Sequence, residues 1–214
     1  MPRRGRRDPH LPARQREPRS DLLFQRLELQ RKVGAIGRCR SLSNGTSVPD
    51  GFPYETPPTS TYQALLRDGS LGVHNHRVPG LAAINMKRLE SIPPGGNWTD
   101  IPQDLLPAGM KRARRSDHTK RYGRGLKDGL ASTILTKCDP HWGAYFHYNQ
   151  DRTYSVREAA RLQSFPDSYL FTGALSEQYA QVGNAVPPLM ARAIGEGLMD
   201  LVSRSSDRQN SLAV

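Results

Sequence analysis

Every apolar run in this 214-residue chain is broken within a few positions by a charge, a proline or a glycine. A membrane-spanning helix needs about 20 consecutive apolar residues, so none is expected. The pattern instead permits short helices, short strands and long irregular connections. Gly 19 and Pro 17 together with a hydrophobic share of 36% fall outside the composition of a densely packed globular domain. One modest domain with extended flanks fits the length, and a large multidomain architecture does not. The basic start from Met1 to Arg7 runs into Asp8-Pro9-His10 where a signal peptide would place its apolar core, which disfavours secretion. Cys39 and Cys138 lie far apart, so no disulfide framework is expected and a reducing compartment fits.

Lys+Arg number 31 against 20 Asp+Glu, for a formal charge of +11, which favours a polyanionic partner. The excess is concentrated in two blocks. Residues 1–45 read as a basic, disordered arm with one short helix over 20–33, where Leu22 to Leu29 supply the only apolar cluster. The second block, Lys111 to Lys127, holds eight Lys or Arg against Asp117 alone. Glycines at 123 and 125 interrupt it, and glycine allows a backbone to approach a phosphate closely while arginine forks grip its oxygens.

Between the blocks, Ser41 to Pro58 is turn-rich, and a short helix is expected over 80–91 after Pro79-Gly80, stopped by Pro93-Pro94-Gly95-Gly96. The β-branched run Ser132 to Thr136 predicts a strand. Ser155-Val156-Arg157-Glu158 is a capping box, which starts a helix at 156 and by itself accounts for Glu158. That helix should end near 164, ahead of Pro166. A second helix is expected over 176–182, closed by Gly183-Asn184 as left-handed cap residues. A third starts at Pro187-Pro188 and repeats Met190, Ile194, Leu198 and Leu201 at helical spacing, and the polar tail over 204–214 is expected to be disordered.

Arg157-Glu158-Ala159-Ala160-Arg161-Leu162-Gln163-Ser164-Phe165-Pro166-Asp167, followed by Gln181-Val182-Gly183-Asn184-Ala185-Val186-Pro187-Pro188, resembles the last two conserved motifs of cytosine-5 DNA methyltransferases in order and separation. Lys120-Arg121-Tyr122-Gly123-Arg124 with Ser132-Thr133-Ile134 is similar to the end of the target-recognition region in eukaryotic members, most like fungal and maintenance-type enzymes. The close resemblance covers about 120–200 and a looser one reaches back to about residue 46. It implies a mixed α/β fragment: an irregular target-recognition region with short strands over 46–150, then, over 151–203, the C-terminal helices of an incomplete Rossmann-like methyltransferase lobe.

The resemblance also implies S-adenosylmethionine as cofactor, double-stranded DNA as partner and the nucleus as location. In that family a cysteine attacks the flipped-out cytosine while a glutamate acts on its ring nitrogen, and the base must leave the stack to be reached. Carried over residue by residue, Asn184, Ala185 and Val186 line the cofactor pocket. Lys120, Arg121, Tyr122, Arg124, Ser132 and Thr133 meet DNA, while Ser155, Arg157, Glu158, Arg161, Gly183 and Pro187 are scaffold. No catalytic residue is carried over, since neither cysteine follows a proline, Glu-Asn occurs nowhere, and no glycine-rich cofactor loop of the family type is present.

The expectation is therefore a methyltransferase-family fragment that is inactive alone, of marginal stability, and dependent on a complementary catalytic lobe. Two alternatives stand beside it: a non-catalytic basic nucleic-acid-binding protein, and an incomplete gene model or pseudogene product. Cys138, His141, His147 and the pair His74 and His76 match no common zinc spacing, and no metal is expected. Trp142, Tyr145, Phe146 and Tyr148 are read as packing residues rather than base-stacking ones.

Overall fold

A computed structural model describes residues 40–212, with side chains described as far as Ser205. The basic arm and its expected helix over 20–33 lie outside the described residues, apart from the last positions before 46. The described helices are α1 (Thr61–Arg67), α2 (Ala83–Glu90), α3 (Val156–Leu162), α4 (Leu175–Asn184) and α5 (Pro188–Leu212), with single 3-10 turns at Trp98–Asp100 and Ala108–Met110.

The expected short strands are not seen among the described residues. Among the described residues the extended backbone forms only isolated bridges, Ser47 with Arg77, Phe52 with Val73, and Phe146 with both Arg124 and Thr153. The run 132–135 has no regular secondary structure, Thr136 lies in a bend, and the run joins no ladder. Its inward residue Ile134 is buried while Thr133, Leu135 and Thr136 are exposed. The β-branched residues suit an extended chain, but no second strand lies beside it.

Two clusters make the core. Ile92, Trp98, Met110, Tyr122 and Phe146 gather around Leu89 of α2. Tyr145, Tyr154, Phe165, Phe171, Tyr179 and Val182 close around Val156, Ala159 and Ala160 of α3. Helix α3 carries charges yet is buried on every side: Arg157, Glu158 and Arg161 are each at most 1% exposed. Burial of that kind requires every charge to be paired. The Arg152 fork meets both carboxylate oxygens of Glu158 at 2.7 and 2.8 Å. Arg161 donates to Asp167, 2.9 Å from its Nε, and Asp167 also accepts from the Tyr54 hydroxyl at 2.7 Å. Arg157 donates to the carbonyls of His74, Pro166 and Tyr169 at 2.9, 3.1 and 2.6 Å.

The capping box starts α3 where the sequence places it. The Ser155 hydroxyl accepts from the Glu158 amide at 3.1 Å, and the Glu158 carboxylate accepts from the Ser155 amide at 2.8 Å. The same hydroxyl lies 2.8 Å from His76 Nδ1, and His76 Nε2 lies 2.8 Å from the Arg40 carbonyl. A carbonyl only accepts, so Nε2 donates, and in the neutral ring Nδ1 accepts the Ser155 proton. Ser155→Ala should therefore cost about 1–2 kcal/mol, at the upper end of a lost cap, read as a lowered urea midpoint.

The second helix is longer than expected and does not close on left-handed residues: Asn184 is its last residue, and the cap Ala185 has φ −77°. Gly183 is required for another reason, since a Cβ there would collide with the backbone of Leu135 and Thr136. Ser164, not glycine, takes the left-handed turn after α3, with φ +64°, and its hydroxyl accepts from the Leu189 amide at 3.1 Å in the first turn of α5. That last helix runs on to Leu212, so the backbone over 204–212 is helical where a disordered tail was expected. Met190, Ile194, Leu198 and Leu201 are 45–63% exposed, an apolar stripe that nothing among the described residues covers.

Candidate nucleic-acid interface

The second basic block forms a loop fixed at both ends. Met110 is buried at its start, and Trp98 reaches across to donate its indole N–H to the Asp117 carbonyl at 3.0 Å. At the far end the Trp98 amide donates to the Arg121 carbonyl at 3.1 Å, and the Tyr122 amide to that of Pro140 at 2.6 Å. Between these anchors Lys111, Arg112, Arg114, Arg115 and Lys120 are exposed. None of the five forms an ion pair with a carboxylate among the described residues. A fixed loop presenting unpaired cations suits a phosphate backbone.

A run of rings leads from the core to this loop. Phe146 and Tyr122 lie 6.3 Å apart between centroids, Tyr122 and His141 5.8 Å, and His141 and Trp142 5.0 Å. The Tyr122 hydroxyl is 3.2 Å from His141 Nδ1. Trp142 ends the run 55% exposed, with the Arg121 guanidinium 4.8 Å over its ring. Tyr145 and Phe146 are packing residues, as expected, but Trp142 is displayed at the surface beside Arg121. Alternation of aromatics in the sequence carries no signal for that difference.

The six residues carried over to DNA contact separate into two groups. Lys120 and Thr133 are exposed, and Arg121 and Ser132 half-buried. Tyr122 instead lies in the core at 3% exposure, with φ +50°. Arg124 turns inward too: it donates to the carbonyls of His147 and Ile92, each at 3.2 Å, and to Asp151 at 3.0 Å. The basic motif thus serves surface and scaffold at once. Of the scaffold residues, Ser155, Arg157, Glu158 and Arg161 hold the buried charge network, Gly183 packs on Leu135, and Pro187 precedes α5, its carbonyl accepting from the Ala191 amide. Sequence reasoning missed Arg152, Asp167 and Asn75. The Asn75 side chain joins the Phe171 amide (3.0 Å) and carbonyl (2.8 Å).

The histidines and Cys138 weighed as metal ligands are engaged elsewhere. His147 lies 3.7 Å from Glu158 and is held neutral by burial, its pKa lowered to about 4. Burial pushes the Cys138 thiol well up. No three His, Cys, Asp or Glu residues among the described residues are grouped to hold an ion.

The profile described as C-5 cytosine-specific DNA methylase matches residues 62–200, more than half of the chain. The chain belongs to the C-5 cytosine-specific DNA methylase family. It is 32% identical over 192 residues to DNA (cytosine-5)-methyltransferase 2 of Arabidopsis thaliana, covering 82% of this chain and 13% of that protein. DNA (cytosine-5)-methyltransferase 1A of Oryza sativa subsp. japonica is 34% identical over 184 residues, covering 78% and 12%. The type II methylase M.HgiDII of Herpetosiphon aurantiacus is 37% identical over 139 residues, covering 63% and 39%. The chain therefore spans only a minor part of these relatives. A solved structure described as a DNA modification methyltransferase encoded within an E. coli prophage superposes with a TM-score of 0.54 at 19% identity, over 80% of this chain and 47% of that one. That likeness is one of fold alone, over less than half of that chain.

Members of this methylase family are generally dependent on S-adenosylmethionine. Asn184 ends α4, and Ala185 and Val186 lie in the turn before α5; Asn184 is exposed and Val186 is 61% exposed. A helix end and an open turn supply one wall and no enclosure, so the described residues alone do not fit the cofactor.

Proposed function

We propose that this chain is the DNA-holding, C-terminal portion of a cytosine-5 DNA methyltransferase and that methyl transfer requires a complementary catalytic lobe. The observation that carries the reading is the anchored basic loop beside Arg121 and Trp142, in a chain whose family acts on cytosine in DNA. Lys111, Arg112, Arg114, Arg115, Lys120 and Arg121 would meet phosphates, with Ser132 and Thr133 adding hydroxyl contacts. The uncovered stripe on α5 supports the need for a second lobe, since apolar surface of that kind is otherwise costly. So does the composition of these 214 residues, which contain no Pro-Cys pair and no Glu-Asn dipeptide. A duplex-DNA partner, with the likeness to plant enzymes, points to the nucleus, and a fluorescent fusion would test it.

Two measurements test the reading. The chain should bind a labelled DNA duplex with strong salt dependence, and Lys120→Ala/Arg121→Ala should flatten the slope of log K against log salt by about 2, roughly one unit for each phosphate left without its cation. An unchanged slope would remove those two residues from the interface. Mixing the chain with a relative's catalytic lobe that carries the missing motifs should then restore methyl transfer to duplex DNA. A chain that binds DNA but never complements would instead be a non-catalytic nucleic-acid-binding protein, a role the open basic loop also suits.

A further inference from the structure

The run 132–136 is held without a neighbouring strand. A single side chain replaces the ladder: the Tyr145 hydroxyl accepts from the Leu135 amide at 3.0 Å and donates to the Thr133 carbonyl at 3.2 Å. Tyr145 is fully buried, and burial raises its hydroxyl to about 12, so it stays protonated and keeps donating. On the other side, the bare α-carbon of Gly183 lies against the Leu135 carbonyl and the Thr136 amide so closely that no Cβ would fit. The segment is thus clamped between a hydroxyl and a glycine, while Thr133, Thr136 and Lys137 remain exposed along its outer edge.

We propose that Tyr145 is a positioning residue for DNA contact: its hydroxyl and Gly183 set the exposed 133–136 edge so that Thr133 and Thr136 meet the duplex. This rests on the DNA-holding role proposed above. Nothing else among the described residues fixes the backbone of this edge by hydrogen bonds, so one buried hydroxyl determines where two surface hydroxyls stand. Hydroxyl contacts to phosphate release no counterions, whereas contacts by lysine and arginine do. The edge should therefore contribute affinity that is independent of salt, unlike the basic loop.

The test is a double-mutant cycle on the full chain, combining Tyr145→Phe with Thr133→Val, with binding to a fluorescein-labelled duplex measured by anisotropy between about 50 and 200 mM salt, a range within which electrostatic contacts weaken strongly. Tyr145→Phe is expected to weaken binding about five- to tenfold at every salt concentration, the weight of about one hydrogen bond, with an unchanged salt slope. Thr133→Val should weaken binding too, and the double variant should lose less than the product of the two single losses, because both act through one contact. Independent, multiplying losses, or a Tyr145→Phe protein that binds like the unmodified chain, would overturn the positioning role and leave the DNA-holding role standing. Failure of the unmodified chain to bind duplex would overturn both. If Tyr145→Phe does not fold, amide exchange at Leu135 in the unmodified chain decides: added duplex should slow it, and equal rates with and without duplex would overturn the proposal.

Discussion

Glu158→Ala is expected to cost about 3–5 kcal/mol of folding stability, a large share of the roughly 5–15 kcal/mol that holds an ordinary domain together. The loss comes from what remains: the Arg152 guanidinium, whose side chain is 0% exposed, keeps its charge while both carboxylate oxygens opposite it are removed. The Ser155 amide loses its acceptor as well. Urea unfolding followed by tryptophan fluorescence measures the effect, and a loss under about 1 kcal/mol would show that water reaches Arg152. Replacing both partners with apolar residues, Arg152→Met with Glu158→Leu, should cost less than Glu158→Ala alone, because it removes the buried charge instead of stranding it.

The same network sets the response to acid. Burial alone would raise the Glu158 carboxyl, but Arg152 outweighs it and holds the group far below the ordinary range. Its stabilising effect is therefore present above the unfolded pKa of about 4.5 and is lost as pH falls through the folded value. The histidines act earlier. His147, lowered to about 4, and His76, also lowered by burial, refuse protons that the unfolded chain accepts below about 6.5. Stability should fall from about pH 6.5 towards 4 through the histidines, then again below that through the carboxylates. Melting temperatures across that range would reveal two steps, and Glu158→Ala should shrink the lower one.

Asp167→Asn should cost about 3 kcal/mol or more while preserving shape, since it leaves Arg161 buried beside a neutral amide. Asp167 accepts from Arg161 and Tyr54, and lies 3.8 Å from Arg157. Burial opposes its charge, and the Arg161 contact overcomes that, holding the carboxyl below its ordinary value. Tyr54 comes from the turn-rich segment and Arg161 from α3, so the lesion should loosen segment 41–58 first. Faster amide exchange there, ahead of α3, is the expected signature; uniform loosening would count against it.

The helical half of this fold is legible because its signals are local. The Ser155 capping box and the spacing of Met190, Ile194, Leu198 and Leu201 lie within a few turns of the elements they define, and the solvent-facing apolar stripe follows from the same spacing. The strand at 132–136 fails because a strand is a property of pairs, and no residue in that run shows that Tyr145 will take the partner's place. Gly183 reads in sequence as a left-handed cap when its reason is a distant backbone. Tyr122 and Arg124 turn inward where the motif alone suggests surface contact, because a motif records which residues recur and not which way they face. Arg124 and Lys120 look alike in sequence, yet one is held by the His147 and Ile92 carbonyls and the Asp151 carboxylate while the other meets solvent.

The absence of a sheet among the described residues changes what a conservative substitution means here. In a laddered protein the backbone holds itself, and side chains can drift so long as volume and polarity are kept. In this chain the guanidinium forks of Arg124 and Arg157 add to a few scattered backbone bonds, Arg124 holding two carbonyls and the Asp151 carboxylate and Arg157 three carbonyls, each fork imposing three directions at once. Lysine carries the same charge but offers one compact head on a flexible stem. Exchange of arginine for lysine at these two positions would preserve the net charge of the molecule and release its geometry, so that in this fold shape is inherited through the planarity of a side chain.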